Sequence, residues 1–191
     1  IGARTLFGTD KLRLYYNDIP VTNGTGSSTI ESYDLENLGQ IEVVKGPKGT
    51  EFGANLGGAI ILTPKEALGR STNLSNNFTV GSYGLIKNNL AINHYDGKLR
   101  LNLQYGHLET NGYRENNNFE RDGFLLNTSY QLSSKNKLSL LVNHIDYTAQ
   151  IPSSLGITAF NEDPTQATFT WRASKGYETN NQTLMGVSLQ H

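Results

Sequence analysis

Cysteine is absent from the 191 residues, which removes disulfide frameworks and thiolate metal sites. Methionine and tryptophan occur once each. No apolar run approaches the ~20 residues of a membrane-crossing helix. The longest stretches, such as Ala59 to Leu62, are the size of a short strand. Neither sign of charge prevails: 16 Lys and Arg against 17 Asp and Glu leave a net charge of −1. The chain as a whole therefore carries no electrostatic footprint for nucleic acid. There is no initiating Met and no signal-peptide pattern at Ile1, and His191 falls inside an alternating segment. A longer parent protein is the expectation. Mean hydropathy of −0.46 suggests a soluble protein. That inference is unsafe, because strands alternating lipid-facing apolar and lumen-facing polar residues average to a hydrophilic value.

What is present is glycine (20 residues) and tyrosine (10), with asparagine prominent. Gly and Asn suit a turn-rich β protein. Tyr suits aromatic girdles at membrane interfaces, and equally any β protein. The texture changes near residue 66. Before it, short strands are expected at Lys11 to Tyr16, Gln40 to Lys45 and Gly58 to Thr63, the last ended by Pro64. Asn17-Asp18-Ile19-Pro20 reads as a tight turn, and Thr22 to Thr29 as a polar loop. After residue 70 the alternation becomes regular. Strands are expected at Asn76 to Ser82, Leu85 to Tyr95, Lys98 to Leu108, Phe124 to Leu132, Lys137 to Tyr147 and from Leu184 onward. The clearest is Lys98 to Leu108, with Leu99, Leu101, Leu103, Tyr105 and His107 on one face and Arg100, Asn102, Gln104 and Gly106 on the other.

These strands run to ~10 residues, the length a tilted membrane-crossing strand needs. Short turns at Asp96-Gly97 and Ser133 to Asn136 alternate with longer loops at Asn111 to Asp122 and Ile151 to Asn181. Short turns on one side and long loops on the other is the layout of outer-membrane barrels. The short connection Gly81 to Gly84 breaks that rule mildly. Alternation and hairpins by themselves fit a soluble β-sandwich or up-and-down barrel equally well.

One stretch goes further. It comprises Ile41-Glu42-Val43-Val44-Lys45-Gly46-Pro47, then Phe52-Gly53-Ala54, then Gly57-Gly58-Ala59-Ile60-Ile61-Leu62-Thr63. This resembles the plug signature of TonB-dependent receptors. Upstream, Leu12 to Pro20 resembles the strand and turn that precede it in that family. Asn17-Asp18 stands where Asp-Gly is usual, and Ile61 where Asn is usual. A phosphate-binding loop is the other reading of so many glycines, but the P-loop spacing and the dinucleotide fingerprint are both absent.

The resemblance implies an all-β chain with a mixed α+β plug part. Residues 1–66 are then the later part of a plug, 67–72 a linker, and 73–191 about six antiparallel strands of a transmembrane barrel that has twenty-two in the family. It also implies residence in the outer membrane of a Gram-negative bacterium, no enzymatic activity and no resident cofactor. The partners implied are outer-membrane lipid, a ferric chelate as cargo, and TonB, reached through a segment absent from these residues. Pro152 to Leu155, Asn161 to Trp171 and Lys175 to Glu178 resemble the third extracellular loop of receptors like the ferric dicitrate receptor. Other cargoes (haem, cobalamin, a glycan), a signalling receptor and a soluble β-rich binding module are the alternatives.

Candidate ligand contacts follow. Arg114, Arg121, Arg172 and Lys175 fall in the expected extracellular loops, where guanidinium suits carboxylate capture. Solvated loop charge or contact with lipopolysaccharide is the plainer reading. Thr22, Asn23, Thr25 and Ser28 lie in what resembles an outward-facing apical loop of the plug. Trp171 either stacks on a ligand or pins its loop, and pinning is favoured. Glu42 and Lys45 are expected to pair with charges on the barrel wall, against the alternative of ordinary solvated charge. His94, His107, His144 and His191 sit on different strands and are not expected to converge on a metal.

Overall fold

The computed structural model describes residues 12–22, 30–46, 52 and 57–191. Two sheets account for most of them. The smaller has the order β2-β1-β4-β3, built from β1 (Leu12–Tyr16), β2 (Ile19–Pro20), β3 (Leu38–Lys45) and β4 (Gly58–Pro64). β1 and β4 run parallel, while the other two pairings are antiparallel. Leu12 to Tyr16 alternates, so Leu14 and Tyr16 drop to one face, where each is 1% exposed. Asn17 takes the left-handed conformation at the β1–β2 turn, which Asn tolerates better than most residues. Gly58 opens β4 with φ at +113°, and any Cβ there would strike the carbonyl oxygen of Val44.

The larger sheet is a six-stranded antiparallel wall in the order β10-β9-β8-β7-β6-β5. Its strands are β5 (Ser71–Gly81), β6 (Leu85–Tyr95), β7 (Leu99–Thr110), β8 (Phe119–Gln131), β9 (Lys137–Gln150) and β10 (Tyr177–Gln190). Consecutive strands are neighbours throughout. At one end the turns are short. Asp96 Oδ1 accepts from the amides of Lys98 and Leu99, both at 2.8 Å, and Gly97 supplies the positive φ. At the other end lie the connections 82–84, 111–118 and 151–176. The last holds two short helices, α1 (Ile157–Glu162) and α2 (Phe169–Ser174).

Several strands outrun the sequence expectation. β5 begins at Ser71 rather than Asn76, β8 at Phe119 rather than Phe124, and β10 at Tyr177 rather than Leu184. The reason is that the backbone ladder needs no apolar side chain. Pairs such as Asn181↔Asp146 and Glu120↔Thr148 extend it through polar sequence.

The two faces of the wall differ. On the outer face one uninterrupted ladder, Leu74, Ile92, Leu103, Leu126, Val142 and Met185, crosses all six strands. Around it the apolar band shifts steadily. It is centred near Phe78 on β5 and near Val187 on β10, although Phe78 lies on the ladder row that ends at Asn181. That drift is about one residue per strand. With ~3.3 Å per residue and ~4.8 Å between strands, a level band requires strands tilted by about 35°. This is the tilt of closed barrels. The inner face is amide- and hydroxyl-rich, with Asn89, Asn102, Gln104, Asn127, Ser139 and Asn143 buried. The small sheet packs on it. Leu14, Tyr16, Ile19, Val21, Tyr33, Leu38 and Leu62 form one core with Leu125 and Leu141 of the wall.

Candidate functional site at the sheet–wall seam and the loop end

The seam between small sheet and wall is stitched by acidic side chains of the first 66 residues. Asp34 and Arg121 form an ion pair with side chains only 11% and 10% exposed. Glu36 takes a 2.8 Å bond from Lys87 Nζ and another from Asn89 Nδ2. The Lys87 bond chiefly, helped by the one from Asn89, holds the Glu36 carboxyl below its ordinary range against the opposing effect of burial. Glu66 accepts from Arg100 at 2.6 Å, and that guanidinium lies 4.1 Å over the Tyr95 ring. Asp18 accepts from Ser188 at 2.8 Å and from Gln190 at 2.9 Å.

A neutral network fills the space between these pairs. Gln104 Nε2 donates to Asn102 Oδ1 at 2.6 Å and reaches the Tyr16 hydroxyl at 3.4 Å. Tyr33 packs 5.4 Å from Tyr16 and lies beside Asn143. Burial pushes both phenols well above their ordinary value, so they remain neutral hydrogen-bonding groups. Toward the short-turn end the seam opens into a polar cavity of about 300 Å³. Asn17, Asp18, Lys65, Glu66, Arg100 and Lys137 are among its lining.

At the loop end, three consecutive residues knit two connections together. Arg114 donates to the carbonyls of Ser153 (2.7 Å) and Gln166 (2.8 and 3.1 Å), with a marginal contact to Pro152 at 3.5 Å. Glu115 accepts from the Ala167 amide at 3.3 Å and from Arg172 at 3.2 Å. Asn116, in the left-handed conformation, donates 2.9 Å bonds to Ile151 and Gly176, the two ends of the long connection. Trp171 lies against Gly176 so closely that a Cβ there would enter the ring, which is the pinning role expected of it.

The candidate residues divide accordingly. Thr22 Oγ1 accepts from the Leu14 amide at 3.1 Å. Asn23, Thr25 and Ser28, like Pro47 and Gly53 of the motif, lie outside the described residues. Arg114 and Arg172 sit in the knot just described, and exposed Lys175 caps α2 in the left-handed conformation. Arg121 is a correction. It lies in β8 rather than in a loop, points inward and meets Asp34, because the strand starts at Phe119. Glu42 and Lys45 lie exposed on β3, the outer strand of the small sheet, so a pairing with the barrel wall would fall to strands other than these six. The seam charges are instead Asp18, Asp34, Glu36 and Glu66, which sequence reading passed over. The available signal was the run of Asn and Gln at inward positions of the strands.

The remaining motif residues are structural. Ile41 pairs with Leu62 across β3 and β4, and Gly46 follows β3 with φ at +87°. Phe52 meets Tyr15 edge to face at 5.5 Å and accepts from its hydroxyl at 3.2 Å. Gly57 precedes β4. Among the described residues no group of three or more His, Asp or Glu is placed to hold a metal ion.

Residues 4–60 match the TonB-dependent receptor plug domain. Among solved structures, the ferric citrate transporter FecA in its unliganded form aligns with a TM-score of 0.63 at 19% identity, over 83% of this chain and 26% of that one. The open form of the ferric-catecholate import receptor Fiu from E. coli K12 gives 0.56 at 23% identity, over 74% and 21%. The copper transporter OprC gives 0.60 at 14% identity, over 73% and 23%. At these identities the likeness is one of fold. The chain spans about a fifth to a quarter of the length of the receptors it matches.

Proposed function

We infer that the chain, whose residues 4–60 match the plug domain of TonB-dependent receptors and whose fold is like that of such receptors, is part of a TonB-dependent receptor that serves active uptake of a ferric chelate, a siderophore or ferric citrate, across the outer membrane of a Gram-negative bacterium. In this reading residues 1–66 belong to the plug, 67–72 link it to the wall, and 73–191 are the first strands of the transmembrane barrel. TonB engages a part of the receptor outside these residues and supplies the work.

The observation that carries the reading is the asymmetry of the wall. An apolar ladder crosses its outer face from Leu74 to Met185, while its inner face receives the plug sheet through charged and amide contacts. An outward apolar band over a polar lumen is what lipid on one side and a solvated path on the other demand. Fold does not choose the cargo, since a copper transporter and ferric receptors share it. The ferric reading rests on the loop resemblance and on cations at the loop end. There Arg172 and Lys175 join Thr22, Asn23, Thr25, Ser28 and Arg114 as candidate ligand contacts.

The test is deletion of the gene followed by growth and radiolabelled-iron uptake on single ferric chelates, with and without TonB. Loss of TonB-dependent uptake of one chelate supports the reading. Undiminished uptake of every ferric chelate, with loss of a copper complex or haem instead, would replace the cargo. Recovery of the protein in the soluble periplasmic fraction would refute the membrane assignment.

A further inference from the structure

The outward face of the wall changes character beyond the apolar band. Lys87, Arg100, Arg121 and Lys137 all point inward, and no outward strand position carries Lys or Arg. Four outward carboxylates, Glu109, Glu120, Asp122 and Asp146, gather toward the loop end. Two successive rows satisfy them differently. Asp122 accepts from the Tyr105 hydroxyl at 2.7 Å and lies 3.0 Å from His107 Nδ1, and Asp146 accepts from Asn181 at 2.9 Å. One row higher, Glu109 stands directly opposite Glu120, and Glu120 opposite Thr148. Like charges so placed repel, and no outward cation relieves them. Among the described residues, the side chains of Glu120, Thr148, Gln150, Asn111 and Asn118 make no hydrogen bond. These free groups and Glu109 line a cavity of about 490 Å³. Gly84 and Asn111 form one side of it, and the Asn111 amide donates to the Tyr83 carbonyl at 2.8 Å. Tyr83 takes a φ of +60°, unusual for so bulky a residue, and meets Tyr113 edge to face at 5.6 Å. The two rings are 54% and 49% exposed.

We propose that this outward cavity binds a neutral sugar carried by a glycolipid of the outer leaflet, its hydroxyls donating to Glu109 and Glu120 and one apolar face turned to the Tyr83–Tyr113 pair. The proposal rests on the outer-membrane reading, which puts lipid against this face and the loop end outside. Height selects the class of lipid. On β7 and β8 the apolar band ends at the paired Tyr105 and Phe124, four residues from Glu109 and Glu120. At ~3.3 Å per residue and a tilt of about 35°, the cavity lies about 11 Å beyond that edge. An ordinary phospholipid headgroup layer is roughly 5–8 Å deep, so only a longer headgroup reaches the cavity. Charge selects the group recognised. Ionised carboxylates accept hydrogen bonds and donate none, so they repel a phosphate and suit a hydroxyl. The amides of Asn111, Asn118 and Gln150 offer donors and acceptors to the remaining hydroxyls. The half-exposed tyrosines supply the flat apolar surface that the C–H face of a sugar ring covers.

The experiment uses the full-length receptor purified in detergent and mixed with equal amounts of three lipids of matched acyl chains. Digalactosyl diacylglycerol is the neutral glycolipid, phosphatidic acid the anionic control, and phosphatidylethanolamine the amine that carboxylates would attract by charge alone. Retained lipid is counted by native mass spectrometry. The glycolipid should be retained about ten-fold over either phospholipid. Glu109→Gln with Glu120→Gln should lower its retention about ten-fold, because bonds to charged acceptors are the stronger ones. Thr148→Trp fills the cavity while keeping both carboxylates, and should lower it as far. Asp122→Asn, one row below, should leave it unchanged. Heat-shifted mobility on gels shows that each variant is folded. Preference for either phospholipid, or equal retention of all three, overturns the proposal. So does glycolipid retention that survives both cavity variants, or that falls equally in Asp122→Asn. Because a receptor already recovered from the outer membrane can give any of these results, failure here leaves the uptake and membrane readings standing.

Discussion

The knot at the loop end makes a quantitative prediction for Arg114→Ala. The guanidinium makes three well-formed bonds, at 2.7, 2.8 and 3.1 Å, to two carbonyls of the long connection, and the 3.5 Å contact adds little. A buried charged donor contributes ~1.5–3 kcal/mol per bond, but this site is half-buried and water can replace part of each, so about 1 kcal/mol apiece is appropriate. The total, about 3 kcal/mol, corresponds to roughly a 100-fold shift in the opening equilibrium of the loop. The assay is native-state hydrogen exchange on the detergent-purified receptor. The reporters are the amides of Ile151, Thr168 and Arg172, which bond Gly176, Pro152 and Thr168 inside the pinned loop. They should exchange about two orders of magnitude faster, while amides in the centre of β8 stay protected. Arg114→Lys keeps the charge but loses the fork, and should recover only a minor part. Unchanged exchange at the three amides would show that Glu115 and Asn116 hold the loop without Arg114. Equal loss of protection in the wall would show that the variant unfolds the receptor rather than the loop.

Two further predictions concern depth and pH. Leu103→Arg, on the continuous outward ladder, should destabilise the receptor by ~2–4 kcal/mol, whereas Asp146→Arg, beyond the apolar band on β9, should cost ~0–1 kcal/mol. Thermal unfolding of the two variants in lipid reads the difference, and equal effects would contradict the tilted band derived from the register. Glu36 titrates below the ordinary carboxylate value, chiefly through its bond from Lys87. Its contribution is therefore complete above the unfolded value near 4.3, and is lost as pH falls through the lower folded value. With 42% of its side chain exposed, that contribution is small. Urea unfolding between about pH 5 and 3 should show Glu36→Gln losing less stability than the unsubstituted receptor; parallel curves would dismiss the contact.

Much of this molecule is written in local sequence. The alternation of Leu99 to Leu108 assigns each side chain to the outer or inner face, because a strand repeats every two residues. Asp96-Gly97 sets a hairpin because Asp caps two amides and Gly accepts positive φ. The stretch from Ile41 to Thr63 is specific enough to indicate the plug. Where strands end is less legible. Phe119 to Arg121 and Tyr177 to Gln182 read as polar loop, yet their backbones pair across to β9. The ladder is blind to side-chain polarity once a neighbouring strand is in register.

Which charges meet was decided by the tertiary structure alone. Arg121, read as a loop residue, lies in β8 and faces the small sheet. Asp34 finds Arg121, and Glu36 finds Lys87, only because two sheets from distant parts of the chain face each other. A period of two tells each residue which side it faces, but not what stands opposite. That depends on how the plug sheet sits against the wall, which no local pattern encodes.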